Sequence, residues 1–318
     1  MNNPGKKTLT AFIFGLAILA VSFYLALRLG STQELDWELV KQLRLPRALM
    51  AVAVGAGLAV SGATLQALFS NPLCEPYTLG ISSGSALGAV IGLSMGVTAG
   101  YAGLSIPAFL GAGAFAFILY LVSLRAQASG AILLLSGVML GFLGSSLVSL
   151  WMALVDPNGI QAAIFWLLGD LSRARIQGAV LSLSLVTLVS LWIAAHSRKL
   201  DALLMGEEAA TALGISVQGT RRQMILATSL LIGLCVSGAG MIGFVGLIIP
   251  HFVRRHCGAL HGKLIPLCAI WGANALLVAD TLARCMARPY ELPVGVVTAL
   301  VGAPLFLMIL FQGRERAA

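Results

Sequence analysis

Residues 200–222 read LDALLMGEEAATALGISVQGTRR. This stretch lies between two long apolar runs and is too polar to cross a bilayer, so it must sit at a membrane face. Ala202 to Leu213 is rich in strong helix formers. Gly206 and Gly214 punctuate it, which predicts one or two short helices rather than a slack connector. Glu207 and Glu208 fall near the start of the second piece, where carboxylates suit the positive end of a helix dipole. Two readings stay open on these residues alone: a solvated loop with a little helix, or a docking platform for a soluble partner.

Outward from it, the chain is apolar almost throughout. Of 318 residues, 58% are hydrophobic and 10% charged, against about 25% charged in soluble domains. Apolar runs of membrane-spanning length recur along the whole chain, which predicts an all-α polytopic membrane protein. Ten spans are expected, at about 8–29, 47–69, 78–97, 103–124, 131–155, 177–196, 218–238, 247–256, 264–286 and 294–312. The basic start and long apolar run of the N-terminus read as a retained first span, because no small-residue cleavage site follows. The eighth span is too short to cross a full core as a regular helix. Gly238, Gly240, Gly243 and Gly246 before it predict an irregular segment, which lipid tolerates only inside protein or beside a cavity.

Lysine and arginine set the expected orientation. With the N-terminus inside, twelve of the 20 Lys and Arg residues fall on inner segments, among them Arg198, Lys199, Arg221, Arg222, Arg254 and Arg255. Fusing spans seven and eight would move Arg254, Arg255 and Lys263 outside, against the charge rule. On the outer face, Arg44, Arg47, Arg284 and Arg288 stand out. They read as interfacial anchors, as internally paired groups (Asp280 and Arg284 are one helical turn apart) or as a cationic landing surface for an acidic partner.

Two patterns concern packing. Gly80, Gly84, Gly88, Gly92, Gly96 and Gly100 recur every fourth residue, a ridge without side chains that lets a second helix approach closely. GLAVSGA at 57–63 recurs as GLCVSGA at 233–239. Five spans separate the two copies, so they run in opposite directions. That is the trace of an inverted repeat of spans 2–5 on spans 7–10, an organisation frequent in transporters.

The chemistry that is missing narrows the function. Asp280 is the only acid clearly inside a span, whereas ion-coupled carriers need buried ionisable groups. CGALHGKL at 257–264 lacks the spacing and the Ser or Thr of a P-loop. His251, His256 and His261 are five residues apart and scatter around a helix, so no metal site is expected. Cys74, Cys235, Cys257, Cys268 and Cys285 form no zinc or disulfide pattern. No nucleophile elbow is present, and the net charge of +8 is spread over membrane-flanking loops rather than gathered for nucleic acid. An ion-coupled carrier or a membrane enzyme is therefore the lesser alternative.

Long motifs add a resemblance. RLPRALMAVAVGAGLAVSGATLQALFSNPLCEPYTLGISSGSALG (44–88), GEEAATALGI (206–215), GAGMIGFVGLIIPHFVRR (238–255) and ELPVGVVTALVGAPLF (291–306) resemble the FecCD/BtuC-type permeases, membrane subunits of type II ABC importers for iron–siderophores, haem or vitamin B12. The resemblance covers about residues 40–312. It implies one permease domain over 1–318, with repeats at about 47–155 and 218–312 and cytoplasmic coupling helices at about 200–217. It implies a homodimer in the bacterial inner membrane, with cytoplasmic termini. Two ABC ATPase subunits would use ATP and Mg inside, and a periplasmic binding protein would dock outside. The chain itself would bind no cofactor and catalyse no reaction. Carried over by position, Gly206, Glu207, Glu208, Ala209, Ala212, Leu213 and Gly214 would couple to the ATPase. Arg44, Arg47 and Arg284 would meet the binding protein. Ser129, Gly130 and Ala131, with Asn71, Pro72 and Leu73, would form the cytoplasmic gate; Ala131 stands where the vitamin B12 member has a hydroxyl residue. The expected cargo is an iron chelate, siderophore or haem, with vitamin B12 as runner-up.

Overall fold

The structure is a computed structural model that describes residues 4–30, 37–96, 104–125, 129–155 and 157–314; Gly100, the last of the glycine series, lies outside them. It is built of helices, and no strand occurs among the described residues. Ten helices stand where the ten spans were expected: α1 (Pro4–Arg28), α3 (Leu45–Leu68), α4 (Ile81–Ser94), α5 (Ser105–Ser123), α6 (Gly130–Leu154), α8 (Ile176–Ala195), α11 (Val217–Ala239), α12 (Val245–Cys257), α13 (His261–Cys285) and α14 (Val294–Arg314). Seven helical stretches are long and apolar enough to cross a membrane by length and composition, while Ile81–Ser94 and Val294–Ile309 are shorter apolar helices. The remaining helices are short: α2 (Trp37–Leu39), α7 (Pro157–Leu167), α9 (Ser197–Leu204) and α10 (Glu207–Ala212). A π turn, Val40–Arg44, joins α2 to α3 without a break.

The inverted repeat is visible in the packing. α3 lies in the middle and packs most extensively on α13, and its counterpart α11 packs in the same way on α5. The closest approach in the first pair is glycine to glycine, Gly55 on Gly272; in the second, Gly233 lies against Phe109 and Ala112. α3 and α11 also cross each other. Gly57 opens the first repeat copy, and a side chain there would overlap the sulfur of Cys235 in the second. Lipid provides little hydrophobic drive between helices, so such side-chain-free contacts, gaining dispersion over many atoms, hold the bundle. The fourfold glycine series serves the same end. Side chains at Gly84 or Gly88 would collide with Gly111 and Pro107 of α5, and one at Gly80 with Gly137 and Gly141 of α6.

Both repeats break after their first helix. The segment 69–80 contains Ser70 and Gly80 with positive φ and a short 3-10 turn, Pro76–Leu79. It does not stay at the bundle's end: Pro76 packs against Gly246, which in turn abuts Leu58 and Gly62 two turns up α3. In the second repeat, Gly240 and Phe244 have positive φ and α12 turns back. Its direction is fixed by two contacts on α3, Gly246 on Gly62 and Arg254 on Gln66 at 2.6 Å. Spans seven and eight are therefore separate, as the charge rule required. Gln66, almost fully buried, clamps both breaks: its amide donates to the carbonyls of Cys74 and Gly246.

Candidate functional site: two ends of one bundle

The bundle's ends are called inner and outer after the orientation expected from charge. At the inner end, α9 and α10 form a helical elbow bent at Gly206, φ 102°, and stopped at Gly214, φ 76°. These values are open only to glycine at little cost, which explains the punctuation in the sequence. α9 is firmly seated. Leu200, Ala202 and Leu203 are buried, and Asp201 accepts hydrogen bonds from the backbone N–H of His261 (2.9 Å) and from its Nδ1 (2.7 Å). One carboxylate thus caps the start of α13 from another helix.

α10 turns one side inward and another outward. Ala210 is fully buried, so of the four small residues Ala209, Ala210, Ala212 and Leu213 only part faces away. Ala212, Leu213, Gly214 and Glu208 are exposed, and Ala209 is half-buried. Met205 and Leu204 at the elbow add exposed apolar surface. Sequence reasoning missed these two, because either could equally have been a core residue of a single longer helix. Glu207 does not lie free at the helix start; it is ion-paired with Arg221 of α11.

Arg221 leads to the expected gate. A cavity of about 300 Å³ is lined by Leu68, Phe69 and Ser70 from the end of α3, by Ser129, Gly130 and Ala131, and by Leu203, Gly206, Glu207 and Arg221. The segment expected to form the gate and the elbow expected to couple to the ATPase therefore share one cavity. Ser129 caps α6, its hydroxyl accepting from the N–H of Ile132. Asn71, Pro72 and Leu73 follow directly but do not line the cavity. Asn71 makes a tight turn with its side-chain oxygen on the N–H of Leu73, and Pro72 and Leu73 are exposed.

At the outer end, Arg44, Arg47 and Arg284 do come together. All three line one cleft of about 240 Å³ with Gly30, Leu39, Leu43, Ser172 and Glu291. Their guanidinium groups are held from behind. Arg44 donates to the carbonyls of Leu27 and Arg28 and Arg284 to those of Ala26 and Leu29. Arg47 bonds Asp280 at 2.8 Å and Glu291 at 2.5 Å, and Arg284 reaches Asp280 at 3.1 Å. The π turn places Arg44 in this group, a distortion often found at functional sites. The expected helical pair Asp280–Arg284 is present, but the cationic residues form the wall of a recess rather than an exposed surface. The exposed basic groups at this end are others, including Arg28, Lys41, Arg173, Arg175 and Arg288.

The FecCD transport family is matched over residues 7–312. The chain belongs to that family. This FecCD chain is a membrane permease of the ABC importer type. It is 36% identical to an uncharacterized ABC transporter permease protein, YvrB of Bacillus subtilis, over 95% of this chain and 93% of the relative. It is 37% identical to the hemin transport system permease protein HmuU of Yersinia pestis, covering 90% and 87%. With the vitamin B12 import system permease protein BtuC of Citrobacter koseri it shares 41% identity over 87% and 84%. Among solved structures, it superposes on a metal-chelate type ABC transporter in an inward-facing conformation with a TM-score of 0.87 and 32% identity, covering 95% of this chain and 98% of that one.

Proposed function

We propose that two copies of this permease form the membrane path of an importer for a bulky metal chelate. A separate ABC ATPase, using ATP and Mg, docks on α9 and α10, and a substrate-binding protein delivers the cargo at the Arg44–Arg47–Arg284 cleft. The observation that carries this reading is the inner end: a rigid helical elbow with exposed Met205, Ala212 and Leu213 shares one cavity with the Ser129–Ala131 loop. Apolar groups exposed outside lipid mark a surface for a protein partner. Among the described residues Asp280 is the one fully buried acid, and it is paired with arginines rather than with a second acid of the kind that couples ions, which supports an energy source on another subunit. In this reading both termini lie in the cytoplasm and the membrane is the bacterial inner membrane.

The cargo reading rests on the relatives, named for hemin and for vitamin B12, and on the metal-chelate type structure. An iron chelate, siderophore or haem, is the first candidate and cobalamin the second. The test is to purify the cognate binding protein and identify the molecule it retains by absorbance and mass, then to follow its uptake into vesicles holding the complete transporter. ATP-dependent accumulation of that molecule is expected. Uptake by the permease alone on an ion gradient would overturn the reading in favour of a secondary carrier.

A further inference from the structure

Arg221 is a buried charge that packing alone does not account for. It sits on the second turn of α11 and its side chain is 6% exposed. Nη2 donates to Glu207 Oε1 at 2.5 Å, while Nε and Nη1 are buried without any acceptor. Burying an arginine for a single carboxylate at the surface is poor value for stability, since the unsatisfied N–H groups lose their water. A neutral side chain would serve α11 better if packing were the only demand.

The surroundings give the arginine a task. Its Nη2 lies 3.3 Å from where a side-chain carbon on Gly130 would sit, so the guanidinium lies close beside Gly130, the first residue of α6. The other side of the same group holds Glu207, the first residue of α10. α10 otherwise packs mainly on its neighbours α9 and α11. We propose that Arg221 is a positioning residue that ties the coupling helix to the gate: movement of α10 reaches Gly130 through the Glu207–Arg221 pair. Arg221 lines the same cavity as Ser129 and Gly130 and its Nε and Nη1 are buried without an acceptor, so a shift of α10 against the start of α6 can offer them acceptors in a second arrangement. Each arrangement then leaves a different part of the guanidinium paired, which is what a two-state link requires. This inference rests on α10 being the ATPase contact.

The test uses the complete transporter with its ATPase and binding protein, carrying Ala131→Cys as a reporter. A maleimide reagent labels the reporter with and without ATP plus vanadate, and the labelled peptide is counted by mass. The reporter complex is expected to change its labelling rate by about fivefold or more, the lower end of coupling between linked sites. Glu207→Gln, an exposed and conservative change, and Arg221→Gln should each reduce that ratio to nearly one. The double variant should be no worse than either single one, because both remove one link. Singles that keep the full nucleotide response, or effects that multiply in the double variant, would overturn the proposal. So would loss of ATPase binding in Glu207→Gln, which would place that carboxylate in the partner interface. A reporter complex with no nucleotide response would overturn the coupling reading itself, and the link with it. If Arg221→Gln does not fold, Glu207→Gln alone decides by its ratio.

Discussion

Arg47 of α3 and Asp280 of α13 are 233 residues apart in sequence and 2.8 Å apart in space, with the carboxylate fully buried. The pair joins the most extensive helix contact in the bundle. Removing one partner leaves an uncompensated buried charge, which costs about 3–5 kcal/mol. Asp280→Ala should therefore lower the midpoint of thermal unfolding in detergent sharply. Arg173→Ala should not, because the Arg173–Asp170 pair is 3.8 Å long and half exposed, and such pairs contribute about 0–1 kcal/mol. Equal midpoints for the two variants would show that the buried pair is not holding α3 to α13.

The same pair changes how the outer cleft should be tested. Arg47→Glu would place a third acid beside Asp280 and Glu291, so lost docking could mean only a lost fold. Ser172 lines the cleft and is exposed. Ser172→Glu should weaken binding-protein docking by about two- to fivefold at low salt. The loss should shrink at about 1 M salt, where the screening length is ~3 Å. Docking that is indifferent to this charge at low salt would remove the cleft from the interface.

The glycine contacts make a sharper mechanical claim. Gly88→Val would force a side chain into the carbonyl of Pro107, and overpacking of this kind costs about 1–3 kcal/mol or more. Gly113 on α5 has open space around it, so Gly113→Ala should be neutral or gain about 0.5–1 kcal/mol from helix propensity. Unfolding midpoints of both variants in one detergent give the comparison. A stable Gly88→Val protein would mean that α4 and α5 can separate freely.

At the elbow, Ala212 and Ala210 are two residues apart with opposite fates. Ala212→Arg should leave the bundle's thermal stability unchanged, because the site is exposed, yet prevent co-purification of the ATPase. A charge forced into an apolar groove costs on the order of several kcal/mol. Ala210→Arg should instead destabilise the elbow itself, since Ala210 is fully buried. Full ATPase recovery with Ala212→Arg would reduce α10 to a connector.

Much of this was legible in the sequence because it is written locally. Span length, the glycines at 206 and 214, the Asp280–Arg284 turn and the doubled GLAVSGA and GLCVSGA motifs all fall within short windows. What was not legible depends on distant partners. Whether Arg44 and Arg47 were anchors, paired groups or a landing surface stayed open because their acceptors, the carbonyls of Leu27 and Arg28 and the acids Asp280 and Glu291, lie far away in the chain. Gln66 gave no signal, although it holds both breaks of the repeat. α7 was passed over because an eleven-residue helix is too short for the span criterion. The inward dip of residues 69–80 is imposed by Gly246, which closes on Pro76 from the other half of the chain.

That closure bears on how the protein is made. α12 has 13 residues, about 20 Å of helix against a hydrocarbon core of about 30 Å, and it ends in Arg254, Arg255 and His256. Such a segment has little tendency to leave the translocation machinery for lipid alone. Its surfaces are already waiting on α3, at Gly62 and Gln66, synthesised some 180 residues earlier. Insertion of the second half is thus templated by the first, and the order of synthesis becomes part of the fold's specification. A fragment beginning at Ser197 and expressed alone should leave residues 245–257 accessible to protease from the inner side. Supplying residues 1–196 as a separate chain should protect them.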